Sequence, residues 1–485
     1  MTCRPHGRRT PLVTAADHSP LPPPRTASPP IQAAGDGDLI PFRQAVKTWF
    51  KISLQTFGGP AGQIAVMQRT LVEEKRWIGQ QRFNHALSYC MLLPGPEAQQ
   101  LAIYIGWLLN GTRGGLAAGT LFVLPGVVAL LALSALYVGF GTTAAVTGLF
   151  AGLAPAVVAI VAQAVWRVGR RSLTHPLLIG LAVASFAALA LFRVTFPVVI
   201  VAAGAAGWLI ARCAPGVFKP VAHGSGDDGP PPLISDDALH QERPSRRRTL
   251  RILLTGLLLW AVPVAAVAQF TGITSVFTTQ GLYFSGAALV TFGGAYAVLA
   301  YVAQQAVQTY GWLSAGEIVH GLALAETTPG PLIMVVQFVA FLGAFRDPGT
   351  LDPWAAAFLG ALLTTWVTFV PCFLFIFLGA PYIERLRGNR HVSAALTGIT
   401  SAVVGVIANL ALYFAEHTLF TTVDDHTLGP LHLAAPDLAT FRPIALSIAL
   451  VASVLIFRLR WSVLRTLGVC AALGLAAALA GVPGS

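Results

Sequence analysis

Charge is scarce in this chain. Only 11% of its 485 residues are Asp, Glu, Lys or Arg, where about 25% is usual for soluble domains. That shortage, with a mean hydropathy of +0.68, excludes a soluble globular protein. Cysteine is sparse too: Cys3, Cys90, Cys213, Cys372 and Cys470 form no Cys-x-x-Cys. Buried apolar filler is the expected role for them, rather than metal or disulfide chemistry. Also missing are Gly-x-x-x-x-Gly-Lys-Ser/Thr, His-Glu-x-x-His and Gly-x-Ser-x-Gly, so no ATP drive through this chain, catalytic residue, metal or cofactor is expected. The net charge of +11 sits in loops and tails. Clusters such as Arg246-Arg247-Arg248 mark cytoplasmic topology, and nucleic-acid binding is excluded for want of a soluble domain to carry it.

What the chain has in abundance is apolar sequence. Runs at 116–137, 148–165, 250–269, 282–302, 355–378, 394–414 and 462–480 each approach the roughly 20 residues that span a bilayer. An all-α polytopic membrane protein with about 10–14 membrane segments follows. Residues 1–41 are rich in Pro and Arg and have no apolar core; they read as a disordered cytoplasmic tail and not a signal peptide. Residues 214–249 form a hydrophilic linker. It separates an N-terminal unit, 42–213, from a C-terminal unit, 250–482.

The two units repeat one another. Thr56-Phe57-Gly58-Gly59 returns as Thr291-Phe292-Gly293-Gly294, Trp77 as Trp312, and Pro94-Gly95-Pro96 as Pro329-Gly330-Pro331. All three pairs share one offset, 291 − 56 = 235. Pro125 matches Pro371 at 371 − 125 = 246, and Gly152 matches Gly398 at the same offset. Duplicated apolar units with helix breakers in register point to a transporter whose site lies between the repeats.

Charge bias gives their relative orientation. Loop 166–174 carries Arg167, Arg170 and Arg171, while its counterpart 415–427 is acidic. Loop 139–145 is uncharged, while 382–391 holds Arg385, Arg387 and Arg390. Opposite bias at equivalent loops implies inverted repeats. The loop 69–82, with Arg69, Lys75, Arg76 and Arg82, falls on the cytoplasmic side only if the flanking segments are re-entrant hairpins that turn at Gly-Gly-Pro and Pro-Gly-Pro. Charge favours that arrangement; full crossings remain the alternative.

The helix breakers are the candidate site. Two prolines around a glycine stop one helix, and the second is suited to open the next. A helix that begins in mid-membrane exposes unpaired N–H groups and a positive dipole end, which bind oxyanions. The candidate residues are Gly58, Gly59, Pro60, Pro94, Gly95, Pro96, Glu97 and Gln99 in the first unit. In the second they are Gly293, Gly294, Glu326, Pro329, Gly330 and Pro331. Structural kinks and close helix packing are the competing explanations. Glu97, in the first turn of its helix, either caps it or exchanges a proton with the site. Gln163 and Asn409 correspond at offset 409 − 163 = 246 and suit interhelical hydrogen bonds. Arg43, Lys47 and Lys51 are four apart on one helical face. They form either a lipid-headgroup stripe or a funnel for a dianion.

Phe57-Gly-Gly-Pro60, Trp77 and Leu93-Pro-Gly-Pro96, repeated as Phe292-Gly-Gly294, Trp312 and Thr328-Pro-Gly-Pro331, resemble the bacterial chromate ion transporter family in its long two-domain form. The resemblance covers about residues 42–215 and 250–480. It implies efflux of chromate, with sulfate as a related anion, across the bacterial cytoplasmic membrane, and hence chromate resistance. The lipid bilayer is then an obligate partner, and a homo-oligomer is left open. Two departures are Gln63, where many members have His, and Ala295, where the first copy has Pro60. The rival class is a membrane-embedded lipid-phosphate enzyme, which would need an Arg or His beside the site. No Arg adjoins either Pro-Gly-Pro, and His85 and His320 lie nine residues ahead of them.

Overall fold

The computed structural model describes residues 39–214, 232–234, 245–292, 294–379 and 390–481. The chain is helical almost throughout. The first unit comprises α1 (Phe42–Ser53), α2 (Gly59–Gln68), α3 (Gln80–Cys90), α4 (Glu97–Phe140), α5 (Ala144–Ser172), α6 (Pro176–Ala190) and α7 (Phe196–Cys213). After the linker come α8 (Arg246–Thr271), α9 (Val276–Val290), α10 (Ala295–Gln304), α11 (Ala315–Thr327), α12 (Val335–Arg346) and α13 (Pro353–Gly379). The chain closes with α14 (Arg390–Leu419), α15 (Pro443–Ser453) and α16 (Val463–Leu479). Among the described residues six helices are long and apolar enough to cross a membrane: Glu97–Phe140, Ala144–Ser172, Phe196–Cys213, Arg246–Thr271, Pro353–Gly379 and His391–Leu419. Within lipid the backbone must satisfy its own hydrogen bonds, which a helix does, and the many Leu and Ala residues enter it at little entropic cost.

Glycine and proline cut this helical sequence into hairpins. Tyr283 on α9 stacks near Tyr301 on α10, with ring centroids 5.3 Å apart; the helices therefore fold back about Phe292. Gly321 on α11 faces Phe338 on α12, and Arg346 binds Glu317 at 2.6 Å. That hairpin turns at Gly330. In the first unit Arg82 donates to Tyr104 at 3.4 Å, which folds α3 against α4 about Pro-Gly-Pro. The run 282–302, expected to span, is thus two short helices broken at Thr291–Gly294. Gly294 takes φ +101° there, a conformation only glycine holds readily.

α4 contains a second reversal. Asn110 and Gly111 leave helical geometry, with φ −139° and +60°, and Gly106 meets Gly114 across the fold. Its second arm is a long apolar rod that runs antiparallel to α13, since Gly115 faces Phe377 and Gly119 faces Phe373.

The repeats agree bond for bond. Trp77 N–H donates to Leu71 O and Trp312 N–H to Ala306 O, both at 2.8 Å. Each tryptophan follows the π-helical turn, Arg69–Glu74 or Gln305–Thr309, that ends its hairpin. Equivalent rods, α4 and α13, point in opposite directions, so a two-fold relates the units by inversion. Small residues let the remaining helices cross closely between units. Gly152 on α5 meets Cys470 and Gly474 on α16, and its mate Gly398 on α14 meets Ala203 and Gly207 on α7.

Two features lie outside the duplication. α8 packs on α13 and α9, with Trp366 Nε1 donating to Leu259 O at 2.7 Å. The stretch after α14, read from sequence as an acidic loop, contains a β-hairpin in which β1 (Val423–Leu428) pairs antiparallel with β2 (Leu431–Pro436) in the register Val423 to Pro436.

Candidate functional site

The four hairpin tips meet. Gly95 N–H donates to Thr291 O at 2.8 Å, and Gly330 N–H donates to Thr56 O at 3.0 Å. These bonds are two-fold mates, each joining a Pro-Gly-Pro tip to the Thr-Phe-Gly-Gly tip of the other unit. The Gly95 and Gly330 N–H groups are therefore engaged by protein. Gly95 and Gly330 have φ +124° and +100°, so glycine is required by the turn itself. The second proline serves as N-cap rather than first helical residue: α4 starts at Glu97, and a 3-10 turn at Leu332–Met334 precedes α12.

Each tip is also buttressed by the proline-kinked rod of the opposite unit. A Cβ on Gly95 would lie 3.0 Å from Cys372 Sγ, next to Pro371, and one on Gly330 would lie 3.4 Å from Gly126 Cα, next to Pro125. The equivalence Gly126 to Cys372 repeats the offset 372 − 126 = 246. Gln63 Nε2 donates to Gly330 O at 2.5 Å. Its two-fold mate is apolar Val298, and the site is asymmetric there.

Around the tips lie polar groups without partners. Glu97, Gln99 and Gln100 are buried. Both amide atoms of Gln99 lack a hydrogen-bond partner, as do Gln100 Oε1, Gln337 Oε1 and Glu326 Oε2. Buried amides left unpaired are costly and mark a place for a ligand. Gln100 Nε2 donates to Pro94 O at 2.7 Å, and the first intrahelical bond of α4 starts at Gln100 N–H. The Glu97 carboxylate accepts from its own backbone N–H, which leaves the Ala98 and Gln99 N–H groups as the first-turn donors without a backbone acceptor.

The carboxylates approach opposite tips. Tyr296 OH donates to Glu326 Oε1 at 2.5 Å, and Gly59 packs toward that hydroxyl at 3.9 Å from its Cβ position. Its mate Gly294 packs toward Glu97 Oε1 at 3.7 Å. Glu97 and Glu326 are not sequence equivalents: Glu97 stands beside Gly294, and Glu326 reaches Gly59 through the Tyr296 hydroxyl. Pro60 occupies the first turn of α2. Gly293 lies outside the described residues.

Other candidates lie elsewhere. Arg43, Lys47 and Lys51 stay exposed on one face of α1. His320 is occupied by Tyr137 OH at 3.0 Å and stacks on Phe150. Sequence reasoning missed Arg167 as a site residue; it donates to Gln163 Oε1 at 2.8 Å and stays exposed. Its helix is separate in sequence from both tips, and only the correspondence of Gln163 with Asn409 hinted that this stretch faces inward.

Among the described residues no group of His, Cys, Asp and Glu has the makings of a metal site. Hairpin tips, antiparallel equivalent rods and long apolar helices define a multi-pass helical membrane protein. Family comparison specifies it further: a model described as chromate transporter matches residues 43–208 and 279–478, and the chain belongs to that family. It is 31% identical over 384 residues to the chromate transport protein of Pseudomonas aeruginosa, covering 78% of this chain and 82% of that protein. Against the chromate transport protein of Cupriavidus metallidurans it is 27% identical over 402 residues, covering 83% and 89%. A probable chromate transport protein of Synechococcus elongatus is 26% identical over 378 residues, covering 78% and 86%. No solved structure matches the chain. Both family segments begin at or within the first hairpin of a unit and exclude α8.

Proposed function

We propose that this protein exports chromate from the bacterial cytoplasm and so confers chromate resistance. The dianion is held at the crossing of the hairpin tips, by the open first-turn N–H groups of α4 and the amide of Gln99. A single observation carries this reading: duplicated, positive-φ tips bring helix starts and unpaired buried amides to one point between the units. Neutral donors of this kind bind an oxyanion without a permanent cation and let it leave again. The relatives' names, as transport proteins, support transport over lipid-phosphate chemistry.

The membrane potential sets the easy direction. A charge crossing about 100 mV is worth about 2.3 kcal/mol, so a dianion leaving a negative interior gains roughly 4.6 kcal/mol. That supports an outward gradient of about a thousandfold without a coupled ion. Chromate and sulfate share charge and tetrahedral shape. Uptake of each into inverted membrane vesicles, with the interior made positive, is the test. Faster chromate uptake than in vesicles lacking the protein is the expected result; equal rates would remove the proposal.

A further inference from the structure

The two units are equivalent in sequence but not in packing. On the side of the second unit's hairpins, α10 packs on α14, and α11 packs on α5, α14 and α16. The two-fold mates of those contacts are α2 with α5, and α3 with α14, α5 and α7. None of these pairs packs as extensively among the described residues. Burial follows the same division. Val319 and Ala323 are 1% and 0% exposed, whereas their mates Asn84 and Ser88 are open. Glu326 is 2% exposed, and its mate Met91 is 42% exposed. At the first two positions the closed face is apolar and the open one carries an amide and a hydroxyl, which suit water rather than lipid; the third pair, Glu326 and Met91, runs the other way.

The closed side retains a cavity of about 310 Å³ lined in part by Ala303, Gln304, Asn409 and Tyr413. Their two-fold mates are Gln68, Arg69, Gln163 and Arg167. The charges on the two sides differ in sign. Glu416 and His417 line the closed cavity, with Asp425 held there by Arg193; the mates of the first two are Arg170 and Arg171. We infer that the space between α2–α3 and α5 is a water-filled cytoplasmic vestibule for a dianionic oxyanion, with Arg167 as the cation that draws the anion to the hairpin tips. The chain is then in its inward-facing state, and closing α2 on α5 while α10 leaves α14 would give the outward-facing one. This rests on the transport reading above. Arg167 suits the role because it is the two-fold mate of the cavity-lining Tyr413 and remains exposed on the open side. A cation there concentrates dianions on the cytoplasmic side, and acidic residues on the other side disfavour their return.

The test uses full-length protein in membranes with Cys3 and the exposed Cys213 changed to serine. Single cysteines are introduced by Ser88→Cys, Ala323→Cys and, as an accessible control, Arg171→Cys. A membrane-impermeant maleimide applied to inside-out vesicles labels Ser88→Cys about as fast as Arg171→Cys, and Ala323→Cys resists it from either face. Protection of Ser88→Cys while Arg171→Cys labels would overturn the vestibule. Arg167→Gln then raises the chromate KM about tenfold at low salt, with the maximal rate within about twofold and Arg167→Lys close to wild type. An unchanged KM would overturn the role of Arg167. Failure of the transport reading itself would look different: wild-type vesicles would take up no chromate, whereas the labelling pattern would stand.

Discussion

Gly95 and Gly330 join backbone freedom to close contact. A Cβ at Gly95 would lie 2.9 Å from Gln100 Nε2 as well as against Cys372, and φ +124° disfavours any other residue by about 1–3 kcal/mol. Gly95→Val and Gly330→Val are therefore expected to abolish chromate uptake by inverted vesicles, with immunoblots showing protein still in the membrane. Uptake at wild-type rate in both would dissociate the tips from transport. Glu97 is resolved by a milder change. Should it only complete the helix start, Glu97→Gln keeps its hydrogen bonding and leaves uptake and its pH profile unaltered. Should it exchange protons with the site, uptake persists weakly and its pH profile flattens. The tips were legible in sequence because Gly and Pro act on their own backbone. Arg167 was not, since its place opposite α2 and α3 depends on how α5 packs in the fold.

Small residues at helix crossings carry the next level of organisation. Gly152 has the Cys470 carbonyl where a Cβ would stand, and its mate Gly398 has the Ala203 carbonyl. A side chain at either position forces α5 from α16, or α14 from α7. Gly152→Leu and Gly398→Leu should each cost about 3 kcal/mol, read as early thermal loss of the monodisperse peak in detergent. Gly180, with nothing within 4 Å, is the control: Gly180→Leu is expected to melt with wild type. The length of the apolar runs identified these helices but misjudged 282–302 as a single span. Hydropathy sums over the window, and the break at Thr291–Gly294 is a backbone event that hydropathy does not register. The β-hairpin at 423–436 was missed for a related reason: β1 is exposed and largely polar, and no residue of either strand is fully buried, so the sequence lacks the apolar alternation that marks a buried strand.

Inversion of the two units needs an odd number of crossings between equivalent points. The hairpins of the first unit return to their starting face. Its second α4 arm, α5, α6 and α7 then make an even number of passes, and the linker emerges where α1 began. α8 supplies the single extra pass, which explains an apolar helix outside both family segments. Lipid exposure along it fits that role, with Leu254, Leu258 and Val262 all uncovered. The parity puts the bases of the first unit's hairpins, the Arg167–Arg171 end of α5 and the start of α8 on one face. The positive-inside rule assigns that face to the cytoplasm. The β-hairpin at the end of α14 then lies outside. A fluorescent protein inserted after Leu173 should fluoresce and one inserted at Gly429 should stay dark, because that reporter matures only in the cytoplasm. Alkaline phosphatase at the same two positions should give the reverse pattern. Matching signals at both positions would mean that α5 and α14, whose sequences align, cross in the same direction. The reciprocal bonds of Gly95 with Thr291 and Gly330 with Thr56 would then lose their two-fold in the membrane plane, and with it the opposed access on which export depends.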